Sequence, residues 1–337
     1  MTPGSSNHAG PSVTVRRVRD QPVVDFGAVE GYGPIFNAGA VHHDGKFHLF
    51  ARGVHDRYRR NEGSGARFLD YTSDVLVFVS DDGHSYEFQQ VLAEGSPDGI
   101  YSYEDPRVQR VHTPDGERIV MSYTNLSAPE TKKLWRIGVH NLAYEDGRFM
   151  LNRTSGRVVG PEGEPNKDAV IFNLRDGRVA LIHRIYPNMQ LAVFDSLDEL
   201  RDAPDGYWDE YMSDLERHTI IRPSESSLGV GAGAPPVATE DGLILLYHER
   251  DGNEQYTTRV ALLDDETGRV KSMLPEPIMR PELEWERVGD VQNVVFIQGA
   301  VPQPDGTIYV TYGAADRCAG AATVSTGELL EALRAAA

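Results

Sequence analysis

A single cysteine, Cys318, stands in 337 residues, so no intramolecular disulfide can form, which suits a reducing compartment such as the cytoplasm. Its thiol is expected to be buried and inert. No apolar run approaches the roughly 18 residues that would suggest a membrane span. The opening stretch MTPGSSNHAGPSVTVRRVRD has no secretory apolar region, and nothing behind Arg16 and Arg17 resembles a twin-arginine signal. Neither a membrane nor secretion is expected. No metal-ligand spacing is evident. Positive charge is scarce: 33 Lys and Arg stand against 51 Asp and Glu, a net charge of −18, which argues against nucleic acid and anionic membrane as partners. In so acidic a chain, a local cluster of cations is the more informative.

Helical periodicity is also rare; only the tail Thr326 to Ala337 reads clearly as a helix. Short strands rich in Val, Ile, Tyr and Phe, bounded by Asp-Gly turns, dominate instead. Five segments share one pattern: DGKFHLFAR, DGERIVMSYTN, DGRVALIHR, DGLILLYHER and DGTIYVTYGAAD. Their glycines, Gly45, Gly116, Gly177, Gly242 and Gly306, are separated by 71, 61, 65 and 64 residues, by subtraction. That period is ample for a four-stranded blade with loops, so the chain is expected to be all-β, a five-bladed β-propeller with a short C-terminal helix. A β-sandwich with fortuitous turn spacing is the alternative. Each Asp-Gly pair is expected to form a type I′ turn joining the two inner strands of a blade. Further pairs at Asp82-Gly83, Asp146-Gly147 and Asp251-Gly252 fit outer hairpins or inter-strand loops. Residues 1–20 are expected to be a flexible segment around a possible strand at Val13 to Val18, and residues 21–337 one catalytic domain.

The strand before each turn should line the central channel, with its first residues at the mouth. Those residues are Asn37; Glu104 and Asp105; Lys167 and Asp168; only small residues in GAGAPPV; and Asp290, Gln292 and Asn293. The strand after each turn returns to the same mouth and ends in Arg52; Tyr123 and Asn125; His183 and Arg184; His248 and Glu249; Tyr312 and Asp316. The rim of a propeller channel is a natural concave site. Asp105 and Asp168 are candidates for acid chemistry, and Lys167, Arg184 and His248 for a cationic cluster. An inverting glycosidase needs an acid and a base that activates water, whereas a phosphorylase needs only the acid, because phosphate is already a nucleophile that cations can hold.

At these residues the sequence resembles glycoside hydrolase family 130, the β-mannoside phosphorylases and related β-mannosidases, which are five-bladed propellers. The resemblance runs from about Gly31 to the C-terminus through FNAGA, LFARG, YEDPRV, NKDAVIF, LIHR, LLYHE and YGAADRCAGAATVSTGELLEAL. It implies that Asp105 is the general acid, acting through the 3-hydroxyl of the bound mannose. It further implies that Asn37, Arg52, Asp105 and Asp290 hold the mannosyl unit, with Glu104 and Asp168 beside them in the substrate-binding set. Lys167, Arg184, His248 and Tyr256 match the family's phosphate-binding set.

The activity so implied is inverting, reversible phosphorolysis of a β-mannoside to α-mannose 1-phosphate and a free sugar, a glycosyltransferase-type reaction. Inorganic phosphate is the co-substrate, and no cofactor is expected. The alternative within the family is an inverting β-mannosidase, with Glu249 or Asp168 activating water. A non-catalytic sugar-binding propeller would need aromatics such as Tyr103, Tyr186 and Trp208 to stack on sugar; these are expected to pack instead. Two features depart from the family pattern. The stretch from Gly53 to Asp74 carries Arg57, Arg59, Arg60 and Arg67, and the segment between Arg52 and Asp105 is long. This basic loop either shapes the acceptor subsite or is simply solvated, and it or the helical tail could join subunits of a homo-oligomer.

Overall fold

Each of the five Asp-Gly segments forms the turn between the two inner strands of one sheet. The computed structural model describes residues 12–62, 68–96, 101–127 and 134–337. Its strands form five antiparallel blades around a central channel. From the channel outward, blade I is Tyr32–His43, Lys46–His55, Ser73–Ser80 and Glu87–Ala93. Blade II is Tyr101–Thr113, Gly116–Ser127, Leu134–Glu145 and Arg148–Leu151, with Arg157–Val159 also on its third strand. Blade III is Lys167–Asn173, Val179–Ile185, Asn188–Phe194 and Thr219–Ile221. Blade IV is Ser227–Ala232, Gly242–Asp251, Tyr256–Leu263 and Val270–Met273, with Val237–Thr239 beside its second strand. Blade V is Val295–Pro302, Thr307–Ala314 and Cys318–Ser325.

The outermost strand of blade V comes from the other end of the chain. Val15–Arg17 pairs with Ala322–Val324, so the last blade is completed by the first strand and Cys318–Ser325 is not left as that blade's edge. This strand lies within the stretch 13–18 expected from sequence and ahead of the expected domain start at residue 21. Residues 1–11 lie outside the described residues.

Buried apolar side chains of the described residues fall into six clusters: five lie one between each pair of neighbouring blades, and a small sixth gathers Phe36, Val54 and Phe68. Both faces of a blade are therefore covered, which is why a strand such as Leu243–Tyr247 is a continuous apolar run rather than an alternating one. The tail helix Thr326–Ala335 buries Leu329, Leu330 and Leu333, three positions on one helical face. Its start is capped by the Ser325 hydroxyl, which accepts from the Glu328 N–H at 3.2 Å.

Two expectations are corrected. Only the first of the five repeat turns has both central residues in the left-handed region, Asp44 (φ 51°) and Gly45 (φ 72°); in the other four the glycine alone does, at φ 82° to 135°. Longer hairpin loops need one left-handed residue, not two, so type I′ geometry is not general to the repeat. Second, the tail is not the sole helix. Leu197–Arg201, Tyr207–Ser213 and Leu215–His218 fill the connection before the outer strand of blade III, and Glu284–Arg287 precedes blade V. Each is too short for a periodic signal to emerge from sequence.

The channel is plugged midway. Arg107 is fully buried and donates from Nε to the Gly233 carbonyl at 2.7 Å, while Gln298 Nε2 donates to the Pro106 carbonyl at 3.1 Å. The plug separates the polar mouth from a cavity of about 350 Å3 at the turn end, lined by residues of all five blades.

Candidate active site

Three inner strands carry the same local defect at the mouth. Their pairing shifts register between Phe36 and Gly39, between Glu104 and Arg107, and between Lys167 and Val170. The bulged residues Asn37, Asp105 and Asp168 have φ of 47°, 50° and 56°. Among non-glycine residues, Asn and Asp tolerate this left-handed conformation best, and a bulge re-aims the side chain it carries. The backbone requirement and the chemical requirement thus select the same residue types. Glycines clear the space. A Cβ on Gly313 would overlap the Asn37 side chain, and one on Gly231 would lie 2.5 Å from Asp168 Oδ2 and 2.6 Å from His248 Nε2. Blade IV's small residues contribute clearance, and the Ala232 and Gly233 carbonyls receive Arg107 at 2.7 Å each.

On the side of blades I, II and V, carboxylates gather around one guanidinium. Asn37 Nδ2 donates to Asp105 Oδ1 at 2.8 Å, and Arg52 Nη1 lies 3.4 Å from the same oxygen. Arg52 Nη2 donates to Glu104 Oε1 at 2.8 Å, which also accepts from the Tyr71 hydroxyl at 2.5 Å. Asp316 is largely enclosed by protein, with part of its surface exposed. Burial raises its carboxyl to about 7; Arg52 opposes the rise, and the neighbouring Asp105 and Asp290 add to it. Asp290 precedes the inner strand of blade V rather than starting it. It accepts from the Tyr58 hydroxyl at 3.0 Å, and burial raises its pKa.

The basic stretch folds over this side of the mouth. Arg59–Arg60 pairs with Phe68–Leu69, which sets Tyr58 on Asp290, Tyr71 on Glu104 and the Phe68 ring 5.6 Å from the Arg52 guanidinium. Arg59 is held by Asp70, with Nε to Oδ2 at 2.7 Å. Arg67 lies outside the described residues.

Opposite, blades III and IV supply cations. Lys167 and Arg184 face each other across their strand pair. Arg184 Nε lies 3.0 Å from Asp168 Oδ2, and Arg107 Nη2 donates to Asp168 Oδ1 at 3.3 Å. Burial alone would raise the Asp168 pKa, but Arg184, then His248 and Arg107, hold it well below the usual range. Burial, and then Arg184, push the Lys167 ammonium down. His248 is buried, its Nε2 stands 3.5 Å from Asp168 Oδ2, and neither ring nitrogen has a hydrogen-bond partner among the described residues. Burial lowers its pKa to about 4, so at neutral pH it is an uncharged donor and not the cation expected from sequence. The Tyr256 ring centroid lies 6.0 Å from that of His248. The Lys167 ammonium opposes the rise in the Asp316 pKa, so the two halves lie within electrostatic reach of each other.

The family model for β-1,4-mannooligosaccharide phosphorylases matches residues 13–335. The chain belongs to glycoside hydrolase family 130. It is 30% identical over 332 residues to a 1,2-β-oligomannan phosphorylase of Thermoanaerobacter sp. strain X514, covering 94% of this chain and 99% of the relative. It is 32% identical to a β-1,2-mannobiose phosphorylase of the same strain, covering 86% and 89%. A solved structure of the Listeria innocua β-1,2-mannobiose phosphorylase with β-1,2-mannobiose superposes with a TM-score of 0.70 at 21% identity, over 95% of this chain and 99% of that one. At that identity the likeness speaks for the fold.

In this family 130 enzyme, the contacts above bring together Asn37, Arg52, Glu104 and Asp105 on one side and Lys167, Asp168, Arg184, His248 and Tyr256 on the other, with Asp290 held through Tyr58. Other residues expected at the rim turn away. His183 turns between blades to sit 3.0 Å from Asn166 Oδ1 and 2.9 Å from the Tyr211 hydroxyl. Glu249 is bound by Arg259 and by the Ser224 N–H at 2.8 Å. Tyr312 donates to Glu286 at 2.9 Å. Away from a bulge, side chains alternate across a strand, so adjacent polar residues turn to opposite faces; the bulges at Asp105 and Asp168 let Glu104 and Lys167 share the mouth with them. Arg107, Tyr58 and Tyr71 were missed; the first lies inside YEDPRV, where a buried arginine looks no different from a surface one. Tyr186 is 64% exposed and does not pack as expected.

Proposed function

We infer that this enzyme is an inverting β-mannoside phosphorylase. The single observation that carries the reading is the pairing of an acid, Asp105, with an opposing wall of donors in which the two carboxylates on that side, Asp168 and Glu249, are already engaged. Asp168 is clamped by Arg184 and Arg107 and is a weak base for that reason, and Glu249 is turned away onto Arg259 and Ser224. A phosphate in this wall meets Lys167, Arg184, a neutral His248 and the Tyr256 hydroxyl.

In the proposed reaction the mannosyl unit sits among Asn37, Arg52, Asp105, Asp290 and Asp316. A phosphate oxygen forms a bond to C1 as the C1–O bond to the leaving sugar breaks. The departing oxygen receives the Asp105 proton by way of the mannose 3-hydroxyl. Attack from the face opposite the leaving group gives α-mannose 1-phosphate, and the same geometry run backward builds the β-mannoside. Positioning and charge neutralisation by the cations supply much of the acceleration. The substrates are a β-mannoside and inorganic phosphate, with no other cofactor, and the single buried cysteine suits a cytoplasmic site of action.

The deciding experiment is the reverse reaction: the protein is incubated with α-mannose 1-phosphate and a panel of acceptor sugars, and phosphate release is followed against Asp105→Asn. Acceptor-dependent release that the variant abolishes is expected. Release of mannose from aryl β-mannosides without phosphate, and no release of phosphate with any acceptor, would establish the hydrolase instead.

A further inference from the structure

Behind Lys167 and Arg184 lies a buried chain of hydrogen bonds that touches neither sugar nor phosphate in the reaction just described. Lys167 and Arg184 are register partners on the first two strands of blade III. The residues just before them, Asn166 and His183, are fully buried and joined by their side chains, with 3.0 Å between His183 Nδ1 and Asn166 Oδ1. On its other side, His183 Nε2 stands 2.9 Å from the hydroxyl of Tyr211, which belongs to the helix Tyr207–Ser213. Trp208 of the same helix meets the imidazole at nearly a right angle, with ring centroids 5.8 Å apart. A helix inserted at the outside of blade III thus reaches, in three side chains, the residue next to Lys167.

The chemistry of the groups fixes the direction of each bond. The Asn166 carboxamide oxygen can only accept, so His183 Nδ1 carries the proton, and Nε2 is left to accept from the Tyr211 hydroxyl. Burial lowers the His183 pKa to about 3, so the ring is neutral and holds one tautomer at neutral pH. The pairing of the two strands breaks between Lys167 and Val170, which leaves Lys167 and Arg184 as a single ladder pair beyond the bulge. The Asn166–His183 bond ties the strands together at that end. Trp135 of blade II assists: its carbonyl accepts from the Asn166 N–H at 2.9 Å, and its ring centroid lies 5.6 Å from the Lys167 ammonium. The Asn166 side chain itself has His183 as its one hydrogen-bond partner among the described residues, since Nδ2 has none.

We propose that His183 is a positioning residue for phosphate, locked by Tyr211 and acting through Asn166 to hold Lys167 and Arg184 at the separation the anion requires. The role rests on the reading of this wall as a phosphate site. His183→Leu removes both bonds, whereas His183→Asn keeps a donor where Nδ1 stood and loses only the link to Tyr211. The readouts are the Kd of inorganic phosphate, by calorimetric titration of the full-length protein, and the two KM values for phosphorolysis of β-mannobiose in 1,2- and 1,4-linked form. For His183→Leu the phosphate Kd and KM are expected to rise about tenfold, the worth of one neutral hydrogen bond, while the KM for the mannobiose changes less than about twofold. His183→Asn should stay within about threefold of wild type. Should His183→Leu not fold, Tyr211→Phe, which deletes one oxygen and keeps the ring, is expected to raise the phosphate Kd about threefold. An unchanged phosphate Kd in a folded variant, equal losses for phosphate and mannobiose, or His183→Asn no better than His183→Leu overturns the role. Phosphate-dependent cleavage with a Kd indifferent to these variants defeats the positioning role and leaves the phosphorylase reading standing. Phosphate that binds, responds to the variants as expected and yet supports no cleavage does the reverse, and a wild type that binds no phosphate overturns both.

Discussion

Asp316 is the residue whose ionisation most directly shapes the funnel at working pH. Its carboxyl is raised to about 7 by burial and by Asp105 and Asp290, against an ordinary value of 3.8. The native state therefore holds this proton more tightly than the unfolded chain does, and folding stability falls as pH rises between those two values. Above about 7, a further negative charge stands beside the acid and the sugar-facing carboxylates. We expect kcat/KM for phosphorolysis to decline as pH passes through about 7, and Asp316→Asn to flatten that limb of the profile. The same variant should gain thermal stability relative to wild type at pH 8 and not at pH 4, as read by melting temperature. Across the cavity, Lys167→Met removes one charge-assisted contact to phosphate, worth about 1.5–3 kcal/mol. Phosphate KM should rise roughly 10- to 100-fold by the RT ln relation, with a much smaller change in the KM for the mannoside.

The element that matters most is the bulge repeated in blades I, II and III. It turns Asn37, Asp105 and Asp168 inward and depends on glycines that are distant in sequence. Gly313→Ala places a methyl group in the volume of the Asn37 side chain, and over-packing of this kind costs about 1–3 kcal/mol. Activity should fall by more than the loss of folded protein explains, because Asn37 is displaced from Asp105; equilibrium unfolding alongside initial rates separates the two effects. The motifs FNAGA, YEDPRV and NKDAVIF made the inward residues of these strands legible in sequence, and the Asp-Gly period made the blades legible. What sequence did not carry was direction. Adjacent polar residues such as His183 and Arg184, or His248 and Glu249, are equal in sequence and opposite in space, and only the pleat of a built strand decides which of them enters the channel. The charge state of His248 was hidden for a related reason, since burial lowers its pKa to about 4 and that burial depends on contacts distant in sequence, such as the Phe296 ring of blade V with its centroid 4.1 Å away.

At the scale of the whole molecule, the funnel exists only while the ring is closed, and the closure joins strand Val15–Arg17 to blade V. Arg17 secures that strand to the body of the protein. Its Nε donates to Glu286 Oε1 at 2.6 Å and its Nη2 to Glu286 Oε2 at 2.8 Å, while Nη1 reaches Glu282 at 2.9 Å. Glu286 is fully buried and also accepts from the Tyr312 hydroxyl at 2.9 Å and from the Glu282 and Leu283 N–H groups at 2.7 and 3.0 Å. Removing one partner of a buried pair strands the other charge, at a penalty of about 3–5 kcal/mol. Arg17→Ala should therefore destabilise the protein by that order in chemical unfolding. Glu282→Ala, which removes the pair's solvent-exposed neighbour, should cost at most about 1 kcal/mol. If the two variants unfold at the same denaturant concentration, the buried pair is not what holds the ring shut, and closure rests on the strand pairing with Ala322–Val324 and the apolar contacts of the tail helix.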